Sequence, residues 1–157
     1  MRNELQLLIE SLEKKEEILK QILSISKAQY DLAGEEEFQL EAFDKLVDDK
    51  DALLQDMEKL DEGFDRTYQR IRDELPDKKD MYKNEIASLQ KLIKSTVDLG
   101  AQIHASEARA KDKVASAILK SRQEFTQRKS NARMVSDYYK TSNNIKFVDS
   151  LFLDKKK

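Results

Sequence analysis

The chain of 157 residues has no cysteine, no tryptophan, one proline and three glycines. Without cysteine there are no disulfides and no thiolate metal sites, which fits a reducing compartment. So few prolines and glycines leave few tight turns, too few for the many reversals of a β-sandwich or an α/β sheet. No apolar run approaches the ~18 consecutive residues of a membrane span. In the opening MRNELQLLIESLEKKEEIL charges interrupt every apolar stretch, which argues against a secretory signal. The expectation is a cytoplasmic protein.

Motifs that carry chemistry are equally scarce. There is no glycine-rich phosphate loop, no HExxH, and no paired ExxH of a di-iron bundle. The single histidine, His104, sits alone on a helical stretch. The acidic run Glu35-Glu36-Glu37 reads as the first turn of a helix, where carboxylates complement the dipole. The expectation is a protein with no catalytic residues, no metal and no cofactor.

What the chain does have is charge and helix formers. Charged residues make up 38% and apolar ones 39%, with Leu, Lys, Glu, Asp, Ala, Ile and Gln dominating. The length suits one domain. Charge is divided unevenly. Residues 1–80 carry 23 acidic and 13 basic side chains, net −10, and residues 81–157 carry 8 and 16, net +8. Two halves that fold against each other would partly cancel these fields, and a basic half could also face a partner.

Periodicity predicts three helices. In the first, about 4–33, Leu5, Leu8, Leu12, Leu19, Ile22 and Ser26 recur at helical steps, and Gly34 is read as a left-handed stop. The second, about 36–75, carries a heptad seam of Leu46, Lys50, Leu53, Met57, Leu60, Phe64, Thr67 and Ile71. Pro76 ends it. The third, about 78–139, aligns Tyr82, Ile86, Leu89, Ile93, Thr96, Gly100, Ile103, Glu107, Ala110, Val114, Ala117, Ser121 and Phe125, with a bend conceivable at Gly100. Short connections imply antiparallel neighbours. The predicted fold is all-α: an antiparallel up-down-up three-helix bundle over residues 1–140, with a long overhanging third helix and a flexible tail over 141–157.

Two consequences follow. If the chain folds back at Gly34 and at Pro76, Lys50 lies opposite Leu19 and about Ile103, and the third helix projects as a free arm from Ile118 to about Tyr139. The arm carries net charge +4 and offers Ile118, Phe125, Met134, Val135, Tyr138 and Tyr139 to a partner. The tail adds Phe147, Leu151 and Phe152. Second, Lys50, Glu107 and Glu16 interrupt apolar seams near one layer, so Lys50 is expected to pair with Glu107, Glu16 or both, an arrangement that fixes register. Small residues at Gly100, Ala110, Ala117 and Ser121 permit close helix approach or a groove. A nucleic-acid role is disfavoured, because the basic arm lacks aromatics interleaved for stacking. A membrane-surface role is disfavoured because its apolar and basic faces are not separated.

The order of features, LQLLIESLEKKEEILKQILSISKAQ, then FDKLVDDKDALLQDMEKLDEGFDRTYQRI, then LIKSTVDLGAQIHASEARAKDKV, RKSNARMVSDYY and a closing FLDKKK, resembles the FlgN-type flagellar export chaperones of Gram-positive bacteria. Lys50 with Leu53-Leu54, the Gly100-to-Arg109 segment, and Tyr138-Tyr139 with FLDKKK carry most of the resemblance. It implies a cytoplasmic chaperone without ATPase activity. Such a protein binds the C-terminal helical segments of hook-associated proteins, prevents their early assembly and delivers them to an export-gate component. Tyr138 or Tyr139 would be the docking tyrosine. The alternatives are a structural coiled-coil module that forms a homodimer, and the related chaperone of the filament-cap protein.

Overall fold

The computed structural model describes residues 1–125. They form three long helices, α1 (Arg2–Ala33), α2 (Leu40–Ile71) and α3 (Lys83–Phe125), with one 3-10 turn over Leu75–Lys78 between α2 and α3. Side-chain bonds set the directions. Ser11 Oγ donates to the Leu60 carbonyl and Lys15 Nζ to Asp61, while Lys50 Nζ reaches back to Gln29, so α1 and α2 are antiparallel. Ser95 Oγ bonds Glu16 and Ser26 Oγ bonds Glu107, so α3 returns parallel to α1. The architecture is the up-down-up bundle. α1 is its central helix, packed along both others, while close backbone approach between α2 and α3 is sparse.

The heptad repeat explains why these segments are helices that pair. In α1 the buried residues are Leu5, Leu8, Leu12, Lys15, Leu19, Ile22, Ser26 and Gln29, alternating steps of three and four without a gap. In α2 they are Phe43, Val47, Lys50, Leu54, Met57, Asp61, Phe64 and Ile71. This seam is rotated by one residue from the predicted one over much of its length. Leu46, Leu53, Leu60 and Thr67 lie half-buried on its flank. The rotation places two charged residues, Lys50 and Asp61, on the inside, where each meets an opposite charge. α3 runs unbroken through a buried Gly100.

Both connections are longer than predicted, and each is built by an apolar residue that must reach the core. Residues 35–37 are not the first turn of α2 but part of a non-helical link, and Gln39 has extended backbone before the helix begins at Leu40. Phe38 packs against Phe43, ring centroids 5.5 Å apart, and against the cluster of Val47, Ala110, Val114 and Ile118. Gly34 has φ −91° and ψ −5°, not the left-handed conformation. Its lack of a side chain serves instead a close approach: a Cβ there would lie 2.6 Å from Lys113 Nζ. At the other end α2 already stops at Ile71, Pro76 opens the 3-10 turn instead of ending the helix, and α3 starts at Lys83 rather than near Lys78. Leu75, the first residue of the 3-10 turn, and Tyr82, just before α3, pack against the core.

Candidate functional site

The bundle interior is layered. Around Leu5, Leu8 and Leu12 it is apolar, with Phe64, Ile71 and Leu89. Next comes a polar layer. Lys15 Nζ lies 2.9 Å from Asp61 Oδ1, their side chains 2% and 8% exposed, with buried Thr96 on α3 at the same level by the register of the helices. A second apolar layer holds Leu19, Ile22, Leu54, Met57 and Ile103. Then a second polar layer joins all three helices. Lys50 Nζ donates to Glu107 Oε1 at 2.6 Å and to Gln29 Oε1, and Ser26 Oγ donates to the same Glu107 oxygen at 2.8 Å. Lys50, Glu107, Ser26 and Gln29 are all buried. The last layer is the Phe43–Ile118 cluster.

Burial holds the Lys50 ammonium below the usual lysine range, and the Glu107 carboxylate, by its charge and its hydrogen bond, only partly offsets this. Glu16 takes no part in this layer. It sits more than two turns away along α1, accepts a hydrogen bond from Ser95 Oγ at 2.6 Å, and pairs with Lys20 near the surface. The reason is the longer first connection. With the reversal centred near residue 39 instead of Gly34, Lys50 falls opposite Gln29 rather than Leu19, while on α3 it meets Glu107, as expected.

The same shift moves Ile118. It is 1% exposed, inside the cluster closed by Phe38 and Leu40, and belongs to the core rather than to a partner-facing arm. Burial on α3 continues to Ser121, while Leu119 is 54% exposed between Lys120 and Ile118. Any free surface of α3 at this end therefore begins near Ser121. Phe125 is the last described helical residue. Met134, Val135, Tyr138, Tyr139, Phe147, Leu151 and Phe152 lie outside the described residues.

Two features escaped the sequence reading. One is the Lys15–Asp61 pair. Its signal is present, since Lys15 fills the heptad position between Leu12 and Leu19, and Asp61 that between Met57 and Phe64. The other is a groove of about 580 Å³ between α2 and α3, near the connection that joins them. It exists because both helices pack on α1 more than on each other. Leu8 of α1 lies at its floor. Phe64 and Tyr68, stacked with centroids 6.3 Å apart, form one wall, and Ile86, Leu89 and Ile93 the other. Along the small residues of α3, where the sequence implies close approach or a groove, Gly100, Ala110 and Ser121 are buried and Ala117 lines a second cleft of about 420 Å³ with Ala33, Phe38 and Lys120.

Among the described residues no group of three or more His, Cys, Asp or Glu side chains could hold a metal ion. No helix among them is long and apolar enough to cross a membrane. What the described residues do bring together is two internal ion pairs, an apolar groove, and the exposed Lys120 and Arg122 near the end of α3. Compared with models of protein families, with curated proteins and with solved structures, the chain matches none of them.

Proposed function

We propose that this protein is a non-enzymatic cytoplasmic export chaperone of the FlgN type. It binds the C-terminal helical segments of flagellar hook-associated proteins, prevents their premature assembly and passes them to an export-gate component. The single observation that supports this most is the length of α3. It runs through Phe125, beyond the last turn of α1, and ends in a basic stretch with Lys120 and Arg122 exposed beside an exposed Leu119. A helix that leaves its bundle with apolar and basic residues on its surface suits an amphipathic helical client. The described free end starts past Ser121, so the proposed binding residues are Phe125, Met134, Val135, Tyr138 and Tyr139, with Phe147, Leu151 and Phe152. Neither nucleic acid nor membrane insertion belongs to this reading.

The competing reading is a structural coiled-coil module that dimerises through the same end of α3, and exposed Leu119 favours it. Calorimetric titration of the full chain with C-terminal fragments of the two hook–filament junction proteins separates them, repeated with a chain truncated after Ser136. Micromolar or tighter binding that weakens on truncation supports the chaperone and its site. Absence of binding together with a stable dimer in sedimentation supports the coiled-coil module and rejects the chaperone.

A further inference from the structure

The geometry points to the α2–α3 groove as a docking site for an amphipathic helix of another protein, one whose apolar face is flanked by acidic residues. The groove lies at the opposite end of α3 from the proposed client-binding end. Ile93 and Ser121 are separated by about 42 Å of helix. The inference therefore stands independently of the chaperone reading.

Three observations select the occupant. The first is the lining, which is mostly apolar: Phe64, Leu75, Ile86, Leu89 and Ile93 dominate it, with the polar ends of Tyr68, Gln90, Lys91 and Lys94 among them. An extended peptide would bring unpaired backbone N–H and C=O groups into this trough, and an all-helical bundle has no strand edge to receive them. A helix satisfies its own backbone and brings only side chains. Ile86 and Ile93 are seven residues apart, two turns, the spacing that an i, i+3, i+4, i+7 face matches.

The second observation is charge. Lys91 and Lys94 stand exposed on the α3 rim, one turn apart, and no carboxylate lines the groove. A partner with Glu or Asp beside its apolar face gains from both lysines, and one with Lys or Arg there is repelled. The third is that a second copy cannot fill the groove with its described residues. Their exposed large apolar side chains are Leu7, Tyr30, Met81 and Leu119, which form no stripe along any one helix.

The test is methyl NMR on the full chain, labelled at Ile, Leu and Val. Two synthetic amphipathic helical peptides are titrated in: one with Leu at i, i+3, i+4 and i+7 flanked by Glu, and its counterpart with Lys for every Glu. The expected result is shifts centred on Ile86, Leu89 and Ile93, with Val114 and Ile118 unmoved. The acidic peptide binds roughly tenfold more tightly than the basic one, and its advantage shrinks as salt rises. The double variant Lys91→Glu/Lys94→Glu, both positions being exposed, keeps the melting temperature and inverts the preference.

Equal affinity for both peptides, shifts only at the Val114–Ile118 end, or no binding overturns the proposal. So do contacts between the groove methyls and residues 126–157, or an intermolecular contact to a second copy, in the peptide-free protein. Hook-junction fragments titrated in parallel decide the chaperone reading separately, through residues past Ser121.

Discussion

Removing Glu107 should destabilise the bundle more than removing both Glu107 and its partner. Lys50 is 1% exposed and Glu107 2%, 2.6 Å apart. Glu107→Leu leaves the Lys50 ammonium buried without its carboxylate. Breaking a buried pair from one side costs about 3–5 kcal/mol, a large share of the roughly 5–15 kcal/mol that holds a domain together. Lys50→Met should cost a similar amount, since the buried Glu107 carboxylate loses the ammonium 2.6 Å away. In the double variant Lys50→Met/Glu107→Leu both charges are gone. Exchanging a buried pair for apolar residues is commonly neutral or stabilising by about 1–4 kcal/mol. Against that, Ser26 and Gln29 stay in the layer and each loses a partner, at about 1–3 kcal/mol apiece. These opposed terms are of similar size, so the double variant should lie within about 3 kcal/mol of the parent and above both single variants. Urea unfolding of the full chain, followed by circular dichroism with equal m-values for all four proteins, measures the cycle. Additive single effects, or single variants within about 1 kcal/mol of the parent, would refute the reasoning.

Three further outcomes are expected. Ile118→Ala should lose about 2–5 kcal/mol as a buried core truncation, whereas Leu119→Ala next to it should change stability by less than about 0.5 kcal/mol; thermal melts of the pair locate where the bundle stops covering α3. Gly63→Ala should stabilise by up to about 1 kcal/mol, because a Cβ there meets nothing within 4 Å, while Gly34→Ala gains nothing, since its Cβ would displace Lys113 from beside the Tyr30 ring. The third concerns alkaline pH. Unfolded Lys50 holds its proton up to about 10.5 and the folded one releases it earlier, so the unfolded state binds more protons in that interval. Stability relative to the Lys50→Met/Glu107→Leu protein should therefore rise with pH through it and be flat at lower pH, as urea midpoints across neutral to alkaline buffers would show.

Helices and their pairing were legible because the heptad is carried by many residues at once. A few lysines or serines in a seam do not hide its period. Lys50 and Glu107 can be brought together from sequence because each interrupts a seam and both fall near one level. The connections were less legible. A turn centred on Gly34 is the simplest reading of a glycine after a helix, but the energy that decides the matter is the burial of Phe38, four residues later. That one displacement moved Glu16 out of the polar layer and Ile118 into the core. The groove was illegible for another reason. It depends on how far apart two helices stand when both pack on a third, and no single-helix pattern encodes that distance.

The second polar layer also sets an order of events during synthesis. α1 and α2 can close as a hairpin once both have been made, and Lys15 then finds Asp61 within it. Lys50 is different. The hairpin supplies it the Gln29 carbonyl and the field of Asp51, but the carboxylate that bonds it lies 57 residues later in the chain. At about 5–20 residues per second of translation, that carboxylate arrives roughly 3–11 seconds afterwards. Over that interval the half of the hairpin around Lys50 has a reason to stay open while the half around Lys15 can shut. The nascent chain is thus expected to zip from the Lys15 end and to wait at Lys50 for α3.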